Sequence, residues 1–179
     1  TRLSIIDTDP RGNQPLVDVN SKAWIVFNGE IYNYKDIKKD LQASGVKFKT
    51  STDTEVLLNA YLLWGESFLS KLSGIFSFAI WDIEKKKLML ARDEFGIKPL
   101  YYYDSGNGLA FSSELKSLLP FSENYHLDTA SFARYLTYLW NPSPGTPCKE
   151  GKKLLPGHYM IYQHGKKVKE ERYFKLPSS

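Results

Sequence analysis

The sequence predicts an α+β fold, and three observations carry that prediction. Apolar, β-branched and aromatic runs are joined by short polar turns, the connection that favours antiparallel pairing. Segments of helical periodicity are grouped between blocks of strands instead of alternating with them one for one. The chain has 179 residues, of which 42% are hydrophobic and 15% aromatic. That is enough for one substantial core and too little for two ordinary domains, so the chain reads as one domain or most of one.

Taken in order, the strand candidates begin with "LSII" at 3–6 and "AWIVF" at 23–27. The second ends in Asn28-Gly29, a pair that ordinarily announces a hairpin. Here Glu30, Ile31 and Tyr32 lead instead to a polar segment of helical spacing, so the pair reverses nothing. That segment follows Asn33, a capping side chain with Asp36 three residues on, and stops before Gly45. A second helix starts at Thr52, with Glu55 completing a capping box and Val56, Leu57, Ala60, Tyr61, Leu63 and Trp64 at helical spacing. Shorter helices are expected at 66–72, 114–119 and 128–139. The remaining strands are "IFSFAIW" (75–81), "KLMLAR" (87–92), "PLYYY" (99–103), "LAFSS" (109–113), "HYMIYQ" (158–163) and "KVKEERYF" (167–174). "WNPSPGTP" at 140–147 reads as a proline-rich loop, because apolar strands resume after it.

Charge and cysteine content exclude several classes of function. The net charge of +4 arises from 24 basic and 20 acidic residues spread along the chain, so no nucleic-acid partner is implied. The lysine groups at 85–87, 152–153 and 166–167 lie beside turns and read as solvated faces. The single cysteine, Cys148, forbids an internal disulfide and leaves no cysteine pair for a metal; a reducing, cytoplasmic setting is the default. No apolar run approaches the roughly 18 to 20 residues needed to span a bilayer, so no membrane partner is expected. The start at "TRLSIID", without Met or a polar lead-in, suggests that residues upstream have been removed.

Few residues suggest chemistry. His126, His158 and His164 sit in no recognisable catalytic pattern, and no metal-ligand spacing appears. Cys148 lacks a clear source of thiolate stabilisation and reads as a loop thiol. What remains is a set of polar groups at strand ends and helix starts: Arg2, Asn28-Gly29, Glu30 and Asp53. An amide-hydrolysing site whose nucleophile comes from elsewhere needs these types. An asparagine amide and an unshielded glycine N–H can hold a developing oxyanion. An arginine fork suits an α-carboxylate, and Asp53 or Glu30 can face an α-ammonium. Asp53 equally suits the dipole of a helix start, Arg2 and Glu30 equally suit the surface, and Asn-Gly equally suits a loop.

"RLSIID", "VFNGEIYNY", "TDTEVLLNAY", "LSGIFSFAIWD", "LARDEFGIKPLYY", "FSSELKSLL" and "KLLPGHY" follow one another in an order and spacing that resemble the glutaminase domain of class II glutamine amidotransferases, in the asparagine synthetase branch. The resemblance covers essentially all 179 residues. It implies an N-terminal nucleophile hydrolase fold, with two antiparallel sheets stacked between helical layers. It implies hydrolysis of glutamine to glutamate and ammonia through a thioester on an N-terminal cysteine whose own α-amino group is the general base. Ammonia then passes to a second domain, which activates an acceptor, aspartate in this branch, with ATP and Mg. Position by position, Arg2 resembles the α-carboxylate ligand, and Leu3, Ser4, Ile5 and Ile6 line the pocket. Asn28 and Gly29 resemble the oxyanion hole, and Glu30 and Asp53 the groups that hold the α-ammonium.

The departures from the family pattern set further expectations. About fifty residues beginning Met-Cys-Gly-Ile precede "RLSIID" in the family, so the nucleophile, its base and the first strands are expected to be absent from this chain. The ATP-dependent synthetase domain, with its "SGGxDS" loop, is expected beyond "YFKLPSS" in the same polypeptide. By itself this segment is expected to be inactive; it needs no cofactor of its own, and the full-length protein can be a homodimer. Two rival readings stand beside this one. The first is a non-catalytic glutamine sensor or interaction module on the same fold; the second is a hydrolase using Cys148.

Overall fold

The computed structural model describes residues 13–122 and 126–176; the strand expected at 3–6 lies outside them. The strands are β1 (Leu16–Val17), β2 (Ala23–Ile31), β3 (Gly74–Asp82), β4 (Lys87–Arg92), β5 (Tyr101–Asp104), β6 (Leu109–Ser112), β7 (Lys152–Lys153), β8 (His158–Gln163) and β9 (Lys166–Arg172). The helices are α1 (Tyr34–Ala43), α2 (Asp53–Trp64) and α3 (Thr129–Tyr138), with 3-10 segments at Gly65–Lys71 and Leu115–Phe121. Among the described residues the strands form a six-stranded sheet, β1-β2-β3-β4-β8-β9, and a three-stranded sheet, β6-β5-β7. All pairings are antiparallel, as the short turns require.

The period-two alternation of the central strands builds two cores from one sheet. Phe76, Phe78 and Ile80 of β3, Met89 and Ala91 of β4, and Tyr159 and Ile161 of β8 face one way. They meet Ile37 and Leu41 of α1 and Val56, Leu57, Ala60 and Tyr61 of α2. Ala79, Leu90 and Met160 face the other way, against Leu100, Tyr102 and Leu154 of the smaller sheet and its flanks. Burial on both faces explains why "FSFAI" and "MLA" are continuous apolar runs and not alternating ones. The segment Leu115–Phe121 packs against β5 and β6. This is an α+β arrangement of two stacked antiparallel sheets, with α1 and α2 covering the outer face of the larger one.

Local expectations hold with three corrections. Thr52 caps α2 by accepting from the Glu55 N–H (3.2 Å), but the Glu55 carboxylate does not return the bond to residue 52. It accepts instead from the backbone N–H groups of Lys49 and Thr50 and from the Thr50 hydroxyl (2.8, 2.6 and 2.6 Å), securing the loop before the helix. Asn33 precedes α1 without a side-chain cap bond; its amide donates to the Lys71 carbonyl and accepts from the Ser73 N–H, tying α1 to the segment entering β3. The largest correction is in β2, which passes through Asn28-Gly29 and ends at Ile31. Gly29 lies opposite Phe76, at φ +150, and a Cβ on it would sit 2.1 Å from the Ile75 carbonyl oxygen. The glycine therefore serves close strand approach and not a turn.

Candidate active site

The site grows out of one edge of β2. β1 pairs only with Trp24 and Ile25 of that strand, so beyond them the edge away from β3 is unpaired among the described residues. The N–H groups that point from this edge recur at every second residue. Two of them are taken by side chains: Phe27 donates to Gln14 Oε1 (2.6 Å) and Ile31 to Asp53 Oδ2 (3.2 Å). Gly29, between them, presents its N–H on the same side, where no Cβ shields it.

Asn28, Gly29, Glu30 and Asp53 line one cavity of about 710 Å³, together with Val26, Ser77 and Ala79 of the large sheet and Leu100, Phe111, Ser112 and Ser113 from across the gap. The site thus sits at the mouth of the space between the two sheets. The Asn28 amide Nδ2 donates to Ser113 Oγ at 3.1 Å, a bond that joins the end of β2 to the end of β6. Its second N–H is not used in that bond. Asp53, at the first position of α2, is 6% exposed. Burial raises its pKa above the ordinary carboxylate range; the Ile31 and Thr54 N–H groups pull it back, and the nearby Glu30 charge adds to the rise. Asp53 thus opens a helix and also lines the cavity. Arg2, Leu3, Ser4, Ile5 and Ile6 lie outside the described residues.

Sequence reasoning missed several lining groups: Gln14, Thr54, Ser77, Lys98 and Ser113. Four of them do lie in quoted motifs, Lys98 in "LARDEFGIKPLYY", Ser113 in "FSSELKSLL", Thr54 in "TDTEVLLNAY" and Ser77 in "LSGIFSFAIWD", but nothing local marks them as facing a cavity. The first of these motifs folds around a buried charged pair of residues. Asp93, 0% exposed, accepts from the N–H groups of Phe95 and Ile97 on one oxygen, and from those of Lys98 and Phe76 on the other. Arg92 reaches past it to the carbonyls of Lys98, Leu154 and Gly96 (2.7, 2.8 and 2.6 Å). Together they fix the 94–98 loop that brings Lys98 to the cavity.

Cys148 is not among the cavity residues. Its thiol donates to Glu150 Oε2 at 3.0 Å, and burial with that carboxylate beside it pushes its pKa up. A thiol so held is a poor nucleophile, which counts against the hydrolase reading based on Cys148. His126 pairs with Glu150, and His158 with the Pro156 carbonyl; neither lines the cavity. Among the described residues no group of three or more His, Cys, Asp or Glu side chains is placed to hold a metal, and no helix is long and apolar enough to cross a membrane. The lysine groups are mostly solvated. Lys87 is an exception, with a side chain 13% exposed and paired to Glu66 at 3.1 Å. Lys153 is another, donating to the Asn141 carbonyl.

Residues 1–174 match the model of the glutamine amidotransferase domain. The chain belongs to this family. A glutamine-hydrolysing asparagine synthetase of Bacillus subtilis is 41% identical over 174 residues, which cover 97% of this chain and 27% of that protein. The amidase chry2 of Gibberella zeae is 38% identical, covering 98% of this chain and 26% of that protein. The chain thus spans about a quarter of the length of these relatives. The glutamine phosphoribosylpyrophosphate amidotransferase of B. subtilis superposes with a TM-score of 0.68 at 23% identity, covering 95% of this chain and 34% of the other; that likeness shows the fold.

Proposed function

We propose that this glutamine amidotransferase domain hydrolyses glutamine for an asparagine-synthetase-like protein, and that the cavity at the end of β2 is where it does so. The observation that carries the reading is the meeting of Asn28, Gly29, Glu30 and Asp53 in one cavity. In the proposed reaction a cysteine thiolate at the N-terminus of the full-length protein attacks the side-chain carboxamide carbon of glutamine. The carbonyl oxygen becomes an oxyanion, held by Asn28 Nδ2 and the Gly29 N–H. The α-amino group of that cysteine, which takes the thiol proton, delivers it to the leaving nitrogen, so collapse of this intermediate expels ammonia and leaves a thioester, which water hydrolyses to glutamate. Asp53, with Glu30 beside it, holds the α-ammonium, and Arg2 the α-carboxylate. Each oxyanion donor is typically worth 10²- to 10³-fold in rate.

Ammonia then reaches the remaining three quarters of the polypeptide, where an acceptor is activated with ATP and Mg. The relatives named as asparagine synthetases favour aspartate as that acceptor, and a cytoplasmic setting fits such metabolism. The test is glutamate release by the full-length protein. Asn28→Ala should lower kcat by about 10²- to 10³-fold with little change in KM. Glutamine binding without turnover in the wild-type protein would point instead to a glutamine sensor.

A further inference from the structure

Helix α3 lies open to solvent along nearly its whole length. Phe132, Tyr135, Leu136 and Leu139 recur at the i, i+3, i+4, i+7 spacing of a core-facing stripe, yet they are 41%, 43%, 64% and 79% exposed. The residue that α3 does bury is Ser131, whose hydroxyl donates to the Asp128 carboxylate and accepts from Arg134. Both bonds stay within α3 and its cap, and the apolar stripe faces outward. Trp140, 60% exposed, extends the stripe past the end of the helix. Arg134 is the one charged residue between 129 and 140. Aromatic content with few charges is what the centre of a protein interface carries.

We infer that this α3 face is the docking surface for the synthetase portion of the same polypeptide. The inference rests on the reading of the chain as one domain of an asparagine-synthetase-like protein. Three arguments select that occupant. A helix of ten residues is marginal in water without tertiary packing of its apolar face, so the stripe requires a cover. The relatives carry about three times this chain's length in addition to it, which supplies one. One short helix face also falls below the about 800 Å² per partner of a standard interface. That is too little to hold a free second copy, whereas a tethered domain acts at an effective concentration in the millimolar range and needs no more.

Hydrogen exchange on the full-length wild-type protein tests the inference without any variant or activity. The amides of 132–140 should exchange at least about tenfold more slowly than those of an uncovered short helix, at every protein concentration. Leu136→Asp and Trp140→Asp, both at exposed positions, should then raise the glutamate released per amide product by about fivefold or more, with glutamine hydrolysis itself retained. Unprotected α3 amides, or unchanged coupling in both variants, would overturn it. Protection that grows with protein concentration, with variants that turn dimer to monomer and leave coupling intact, would assign the face to a second copy and also overturn it. Failure of the glutamine reading would appear separately, as a wild-type protein that releases no glutamate.

Discussion

Asp53 is buried with no cation beside it among the described residues, and its raised pKa follows from that burial. Because the folded-state pKa lies above the unfolded value, its favourable contribution to stability is present below the unfolded pKa and is lost as pH rises through the folded pKa. At neutral pH the ionised carboxylate therefore costs stability while it stands ready for an ammonium. Asp53→Asn keeps an oxygen to accept from Ile31 and removes the charge. It should stabilise the protein at pH 7 by about 0.5–2 kcal/mol in denaturant melts, while raising the KM for glutamine. The wild-type KM should climb as pH falls through the raised Asp53 pKa, and the Asp53→Asn variant should lack that limb. A variant less stable at pH 7 than the wild type, or one that keeps the pH limb, would remove Asp53 from this role. The residues alone left two roles for Asp53 open, and the family resemblance selected the α-ammonium one. What no local pattern shows is a neighbour 22 positions away, Ile31, whose N–H holds the carboxylate toward β2.

At the scale of elements, the legible features were those that sequence-local physics decides. The Thr52 cap, the helical spacing of α2 and the long apolar strands are all of this kind. The two-residue strands β1 and β7 carry no periodicity to read. The Asn28-Gly29 pair reads from the sequence only as one that reverses nothing, because the reason for its glycine lies across the sheet. Gly29 meets Ile75 and Phe76, and Gly74 meets the Glu30 carbonyl, where a Cβ would lie 2.3 Å away. Gly29→Ala should thus part β2 from β3 and cost more than about 3 kcal/mol, seen as insoluble or early-melting protein. The Asp93 loop makes the same point about charge. Four N–H groups converge on this carboxylate, so Asp93→Asn turns an NH2 group toward donors. About 3 kcal/mol of stability should be lost, and Lys98 released from the cavity rim. A denaturation midpoint within error of the wild type would contradict that account.

For the molecule as a whole, the sheet with two buried faces divides the work between two cores. The core toward α1 and α2 is the larger and includes Ile80, while the core between the sheets includes Leu154; both residues are 0% exposed. Only the second sets the spacing that the Asn28–Ser113 bond spans at 3.1 Å. Strand runs and helix periods in the sequence pointed to an α+β fold, and the family resemblance to two stacked sheets. They could not say which apolar face meets a helix and which meets the other sheet, because alternation is symmetric about the strand. The distinction has a measurable consequence. Ile80→Ala and Leu154→Ala remove comparable apolar volume and should each cost about 2–5 kcal/mol. Per folded molecule, the Ile80 variant should hydrolyse glutamine normally. The Leu154 variant should lose kcat, because a collapse between the sheets moves Ser113 and with it the Asn28 amide. Leu154 also supplies the carbonyl that Arg92 holds, so the same collapse reaches the Lys98 loop. Equal activity in the two variants at equal destabilisation would mean that the gap between the sheets does not govern the oxyanion geometry, and that Asn28 is positioned by β2 alone.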